Sequence, residues 1–515
     1  MTTPEQTAEQ ISVHDHIAKR GVKFPAPAIP YAEGPNAEKG ADNAQTLIFA
    51  ATEEPFAIVP NADGEAVEEA VAKARAAFDH GPWRKMLPTE RAAIMRRISD
   101  LVRENLEELA SLQTLETSIP LQQTRGMHVG RTAENFTFFA DVLASLAGES
   151  YEQSGRYLSI VTREPVGVAL LISPWNAPLV LASMKLAAAI SVGNSVIIKP
   201  SEYAPLAVLR LIELVQEAGV PEGVVQVICG PGAGAGQALV RHPDVDVVGF
   251  IGGTETGKRI MADAAQSLKK VGLELGGKSA NIILASADLE RAIDGSLLGI
   301  FAGNGEQCLA GSRIMVEDSI ADEFIEKFSA RVRGMIVGDP FDDATEIGPM
   351  AFAAHYHRLL EFAAKAQDDE SYRVLAGAGA AAGFDKGYYF APTAVEAADN
   401  MTDLCQQELF GPFVTIQRIK DLDDGLRRAN ESDFGLAAYV WTDHVPSMMK
   451  ARRELRAGTI WVNTPMTRDL RSPFGGYKQS GIGRDGLPGS IELFTEEKTT
   501  LIPQDPLALP KLGQH

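Results

Sequence analysis

One cysteine, one glutamate and one asparagine in this 515-residue chain stand in settings that suit covalent chemistry. Cys308 lies in "NGEQCLAGSR" (304–313), with no second cysteine or histidine close by. A cysteine so placed is a buried small hydrophobe, a metal ligand or a nucleophile, and only the thiolate is reactive. Glu274 stands in "LELGGKS" between apolar residues, directly before a glycine pair. Buried carboxylates are rare unless paired, and desolvation raises their pKa toward the range of a general base. The plainer role for Glu274 is to cap the loop. Asn176, in "PWNAP" (174–178), is flanked by prolines that fix the chain. Its amide either donates to a developing oxyanion or closes a turn. Metal catalysis has little support, because the nine histidines are scattered and "HYH" (355–357) does not set two imidazoles on one helix face.

A second set of residues suits phosphate and ribose. "GFIGGTETG" sets Gly249, Gly252, Gly253 and Gly257 between an expected strand and an expected helix. Glycine there lets backbone approach a phosphate at a helix N-terminus, though the spacing is not G-x-G-x-x-G and a ligand-free tight turn fits as well. "CGPGAGAG" (229–236) is a second glycine-rich joint of the same kind. "KPSE" (199–202) follows a buried strand and sets Lys199 and Glu202 at its carboxyl end, where open α/β sheets bind ligands. A solvated loop is the alternative.

The elements that must position these residues can be read from periodicity. "EAVEEAVAKARAAFD" puts Val67, Val71, Ala74 and Phe78 on one helical face, and "TERAAIMRRISDLVRENLEELASLQTLET" continues as helix. "GRYLSIVTREPVGVALLIS" switches to β-branched alternation and reads as strands. From there "NSVIIKP", "VVQVICG", "DVDVVGFIG" and "VGLELGG" alternate with helical stretches such as "APLAVLRLIELVQEAG" and "GTETGKRIMADAAQ". Such alternation predicts doubly wound parallel sheets covered on both faces. A second alternating block starts near "ADLERAIDGSLLGIFAG" and runs past residue 470, so two α/β lobes are expected. The first 60 or so residues show little periodicity and are assigned no elements. The apolar stretch "APLVLASMKLAAAISVG" is broken by Lys185 and reads as a buried helix rather than a membrane span.

Composition narrows the function. A net charge of −20, from 48 basic and 68 acidic residues, argues against nucleic acid or an anionic membrane as the main partner. Three scattered cysteines (Cys229, Cys308, Cys405) build no disulfide framework, and "MTTPEQTAEQISVHDH" lacks the apolar core of a signal peptide; both point to the cytoplasm.

Taken together, "PWNAP", "KPSE", "GFIGGTETG", "LELGGKS", "GEQC", "QELFGPF" and "PFGGYKQSGIGRDG" resemble the aldehyde dehydrogenase superfamily in order and approximate spacing, over roughly residues 65 to 500. The resemblance implies that Cys308 is the nucleophile, that Asn176 with the Cys308 N–H holds the oxyanion, and that Glu274 activates water. It implies NAD as cofactor, with NADP possible. Ile172, Ser173, Pro174, Trp175, Lys199, Glu202, Gly232, Gly236, Phe250, Gly253, Glu408 and Phe410 are its expected contacts. The implied fold is two doubly wound α/β domains plus a small β oligomerisation arm. An NAD-binding domain would span 1–148 and 169–277, a catalytic domain 278–485, and an arm 149–168 and 486–505, giving a homodimer or homotetramer. Gly253 stands where the family often has serine, Gln407 where it usually has glutamate, and the family's Asn-Pro-x-x-Gly-Glu stretch is missing near residues 50–60.

Within the superfamily, "RDLRSPFGG" and "GRTAENFTFFAD" resemble the branch that oxidises hydroxymuconic semialdehydes. Arg468, Arg131 and Arg471 would then grip a substrate carboxylate; a surface salt bridge is the plain alternative for each. Other readings are a broad-range dehydrogenase of aromatic or aliphatic aldehydes and a non-catalytic binding protein that kept the fold.

Overall fold

The computed structural model describes residues 10–31 and 43–513. Two large sheets dominate. The first has six strands in the spatial order Gly481–Ile482, Lys270–Glu274, Val247–Ile251, Val168–Ile172, Ser195–Lys199 and Val225–Val227. All neighbours are parallel except the edge strand Gly481–Ile482. Sequences such as "VALLI", "SVIIK" and "VVGFI" are almost wholly buried, as strands covered on both faces must be. The chain starts this sheet in its middle, at Val168–Ile172, builds outward to one side, and then returns to build the other. The resulting switch point lies between Val168–Ile172 and Val247–Ile251.

The second sheet has seven strands, in the order Tyr372–Ala376, Thr393–Ala397, Phe413–Ile419, Arg313–Glu317, Ala280–Ile283, Ala437–Trp441 and Thr459–Val462. It too is parallel apart from one edge strand, Tyr372–Ala376. The helix Pro178–Ser191 is buried along nearly its whole length, which explains its apolar sequence. No helix among the described residues is long and apolar enough to cross a membrane.

Strands Glu149–Gln153, Tyr157–Pro165 and Thr495–Pro503 form a separate antiparallel sheet, with Tyr157 opposite Pro503 and Pro165 opposite Thr495. Its residues are mostly exposed, Leu501 to 61%. The expected domain limits need adjusting in two places. Gly481–Ile482 completes the first sheet rather than the second. The stretch 486–505 opens as a helix, Leu487–Phe494, whose Leu493 side chain packs over Gly272 of the first sheet.

The described residues of the early chain, to which the sequence assigns no elements, form a helix and a small sheet. Residues Val13–Arg20 form a helix capped by Ser12 and ended by Gly21 at φ 60°. Strands Ile29–Pro30, Ala44–Phe49 and Glu54–Pro60 form a three-stranded antiparallel sheet. The helix is tied down by Val13 N donating to Glu54 Oε2 (2.8 Å) and by His16 Nε2 against Asp339 Oδ2 (2.8 Å). Eight residues of helix and short, irregular strands offer too little periodicity to register in the sequence.

Candidate active site

A cavity of about 700 Å³ opens at the switch point of the first sheet and reaches the second. The carboxyl ends of four parallel strands feed it: Ile172, Lys199, Ile251 and Glu274 each end a strand, and each lines the cavity. This is where an open α/β sheet leaves room for a ligand, because adjacent crossovers turn to opposite faces. All twelve residues expected to hold a cofactor border this one cavity, from Ile172, Ser173, Pro174 and Trp175 through Gly232, Gly236 and Gly253 to Glu408 and Phe410. So do Asn176, Glu274 and Cys308.

The cavity fits an adenine dinucleotide on its own features. Gly253 is the N-cap of helix Thr254–Ala264 and provides no side-chain cap. The first-turn N–H groups are therefore open to a phosphate oxygen. Lys199 is 2% exposed; its Nζ donates to Pro200 O (3.0 Å) and lies 3.5 Å from Glu202 Oε2. Burial lowers the Lys199 pKa, and Glu202 opposes that shift. Phe250, Val240, Ile260 and Leu275 supply apolar wall. Glu408 Oε1 accepts from Gly277 N (2.9 Å), and burial pushes its carboxyl up to about 7.

At the other end stand the groups suited to covalent chemistry. Cys229 and Cys405 are buried in cores, whereas Cys308 is half-buried at the cavity. Burial, with Glu408 and Glu274 adding to it, pushes the Cys308 thiol up to about 12, while the Arg468 guanidinium pulls it down. Glu274 is 6% exposed and its Oε2 has no hydrogen-bond partner among the described residues. Burial first, then the charge of Asp485, raises its pKa well above the usual carboxylate range; Lys185 and Arg468 act against that. Gly475, at φ 155°, has to be glycine: a Cβ there would come within 2.6 Å of Glu274 Oε1.

The loop bearing Cys308 is held in an uncommon shape. Gly303, Asn304 and Gly305 have φ values of 59°, 58° and 70° in turn. The conformation is costly for a residue other than glycine, so the surroundings of Asn304 must enforce it. Asn304 Nδ2 donates to Ser118 O (3.0 Å), Gly348 N donates to Asn304 Oδ1 (2.8 Å), and Gly303 N donates to Gln123 Oε1 (2.8 Å). Asn176 Nδ2 donates to Glu306 O at 2.7 Å, which aims the asparagine at this loop. The Glu306 carboxyl, wholly buried, accepts from Ala351 N (3.1 Å), and burial raises its pKa.

The three arginines part company. Arg468 sits with its guanidinium 4.0 Å from the Phe474 ring centre and its Nη2 3.2 Å from Met184 Sδ. It forms no ion pair among the described residues, and burial lowers its pKa. Its charge acts on both Cys308 and Glu274. Arg131 pairs with Glu134 (3.1 Å) through Nη1, while its Nη2 is buried without a partner among the described residues. Arg471 is the correction: its side chain is 78% exposed and is taken up by Asp469, two residues away. It faces water, because its loop turns outward at Asp469–Ser472.

Several site residues escaped sequence reasoning. Lys185 Nζ and Asp485 Oδ1 form an ion pair at 2.8 Å, both 3% exposed, beside Glu274. Lys185 did leave a signal, as the one charge in an apolar helix. Asn304, Glu306 and Gln123 gave none.

Comparison with known proteins agrees with this geometry. A family model described as "Aldehyde dehydrogenase family" matches residues 38–500. The chain is 40% identical over 446 residues to 5-carboxymethyl-2-hydroxymuconate semialdehyde dehydrogenase of Escherichia coli, covering 85% of this chain and 93% of that one. Its fold is similar to that of HpcC from Thermus thermophilus, with a TM-score of 0.90, 34% identity and full coverage of both chains. It is also similar to an aldehyde dehydrogenase from Bacillus cereus in complex with NAD+, with a TM-score of 0.87, 35% identity, and coverage of 93% of this chain and 100% of that one.

Proposed function

From the premise that this chain belongs to the aldehyde dehydrogenase family, and is an NAD(P)-dependent oxidoreductase of aldehydes, we propose that it oxidises a semialdehyde bearing a carboxylate, of the muconic type met in aromatic catabolism. The observation that carries this reading is Arg468, a half-buried guanidinium that forms no ion pair among the described residues and whose field reaches Cys308. Partial desolvation of this cation is opposed only through space by Asp485 and Glu274, and a substrate carboxylate would give it a direct, charge-assisted partner. The buried, unpartnered Nη2 of Arg131 offers a second donor. The similarity to the Escherichia coli semialdehyde dehydrogenase points the same way.

In this account Cys308 Sγ attacks the aldehyde carbon to form a thiohemiacetal. The oxygen that gains charge is met by the Asn176 amide and the Cys308 N–H. Burial opposes the thiolate and Arg468 favours it, so the cation that grips the substrate also readies the nucleophile. Lys199, Glu202, Gly232, Gly236, Gly253 and Glu408 would hold the nicotinamide dinucleotide, which would supply the hydride acceptor that takes the thiohemiacetal to the thioester. Glu274 then takes a proton from the water that hydrolyses the Cys308 thioester, in the space that Gly475 leaves beside it. Burial and the Asp485 charge give Glu274 the raised pKa such a base needs, and the Lys185–Asp485 pair fixes the field around it.

The described residues of 1–148 and 169–277, with the edge strand Gly481–Ile482 and the helix Leu487–Phe494 added, would form the cofactor domain and 278–480 the catalytic domain. The antiparallel sheet of Tyr157–Pro165 and Thr495–Pro503, with its exposed outer face, is the arm on which a second copy docks to give a dimer or tetramer in the cytoplasm. A panel of aldehydes with and without a distal carboxylate, followed by NADH absorbance, tests the substrate class. The expected result is a preference of about ten- to a hundredfold in kcat/KM for the carboxylated members. Equal rates across the panel would make this a broad-range enzyme instead.

A further inference from the structure

We infer that Tyr203 and Phe352 form an aromatic bar across the mouth of the cofactor cleft, and that the dinucleotide leaves only when this stack parts. The inference rests on the reading of the cavity as a dinucleotide site.

The two rings lie face to face, with centroids 4.0 Å apart and planes within 8°. They belong to opposite walls. Tyr203 follows the strand Ser195–Lys199 of the six-stranded sheet, one residue past Glu202. Phe352 precedes the helix Ala353–Asp368, which packs against the seven-stranded sheet. Both line the cavity that ends at Cys308. Tyr203 is 37% exposed, so the stack stands at the solvent side.

The bar continues inward. Phe352 meets Trp175 edge to face at 5.1 Å, and Trp175 meets Phe410 in the same way at 5.3 Å. Trp175 and Phe410 flank the residues expected nearest the nicotinamide, next to Asn176 and Glu408. The aromatic chain therefore spans the cleft from the solvent to the reaction end. Separating two stacked rings costs free energy beyond lost area. A ligand bound behind them must wait for that opening, and slow exchange of this kind sets turnover in many enzymes. Nothing in the chemistry of the reaction needs an aromatic ring at position 203; closure of the cleft does.

Displacement kinetics of NADH, read by its fluorescence after mixing the NADH complex with excess NAD, test the bar directly. Tyr203→Ala and Phe352→Ala should each speed NADH dissociation by about two- to tenfold. Tyr203→Phe should keep the wild-type rate, because the ring and not the hydroxyl makes the stack. The double alanine variant should dissociate no faster than the faster single variant, since either change removes the same contact. Melting temperatures within a few degrees of wild type keep the comparison between folded proteins, and Phe352→Leu serves if Phe352→Ala fails to fold. Unchanged dissociation in both single variants, additive effects in the double variant, or an effect of Tyr203→Phe equal to that of Tyr203→Ala would each overturn the bar. Failure of the wild-type protein to bind NADH at all would overturn the reading of the cavity as well.

Discussion

The two ends of the cavity treat their charges differently. At the cofactor end Lys199 is buried but matched, by Pro200 O and by Glu202. At the reaction end Glu274 Oε2, Asp485 Oδ2 and Arg131 Nη2 are buried without hydrogen-bond partners among the described residues, and Arg468 touches a ring and a thioether while Asp485 and Glu274 act on it only through space. Native proteins pair nearly all buried polar atoms, so a cluster of exceptions marks a place where something else must complete the set. The cofactor end is a cradle of backbone and strand ends whose charge at Lys199 is matched, with the Ser173 hydroxyl left without a partner among the described residues. The reaction end is held short of satisfaction, and its reactive groups have pKa values pushed against ionisation by burial.

That contrast predicts where substitutions hurt most. Cys308→Ala should lower NADH formation by at least about 10³-fold while NADH binding, read by fluorescence, is kept. Residual turnover near the wild-type rate would remove Cys308 from the mechanism. Glu274→Gln should leave a burst of about one NADH per site, followed by a steady rate lowered about 10²- to 10³-fold, because the base acts on the thioester. Loss of the burst in a folded variant would move Glu274 to an earlier step.

A subtler effect concerns pH. Glu274 must be ionised to act as a base, and its folded pKa is raised; Arg468 favours the ionised form of both Glu274 and Cys308. Removing that cation raises both values further. The acid limbs of the kcat/KM profile, which reports Cys308, and of the kcat profile, which reports the deacylation base Glu274, should therefore both move to higher pH in Arg468→Leu. A shift to lower pH, or none, would contradict the field assigned to this guanidinium. The smallest effect is expected at the matched cofactor end. Glu202 should make NAD preferred over NADP by on the order of tenfold, equivalent to roughly 1.4 kcal/mol, by repelling a 2′-phosphate. Equal efficiency with NADP would strip Glu202 of that role.

The same contrast governs what the sequence disclosed. The cofactor end is written locally: "KPSE", "GFIGGTETG" and "CGPGAGAG" each join a strand to the next element, and strand periodicity puts their residues at carboxyl ends. The second sheet offers its amino ends instead, since Cys308 and Glu408 precede the strands Arg313–Glu317 and Phe413–Ile419. Only the resemblance of the motifs brought them to one place. Lys185 and Asp485 lie 300 residues apart, and no local pattern joins them. Arg468 and Arg471 sit three apart in a loop without period, so nothing in the residues told the half-buried one from the exposed one. The early sheet went unread because its register rests on tertiary contacts such as Val13 to Glu54 rather than on its own alternation.

The substrate claim meets its most direct test in one set of rates. kcat/KM would be measured for a carboxylated semialdehyde and a neutral aldehyde of similar size, on the wild type, Arg468→Ala and the solvent-facing Arg471→Ala. The account predicts that Arg468→Ala loses activity on both substrates, because the cation no longer favours the Cys308 thiolate, and loses about ten- to a hundredfold more on the carboxylated one, with Arg471→Ala near wild type on both. An equal loss on both substrates in Arg468→Ala would contradict it, leaving Arg468 no part in gripping a substrate carboxylate.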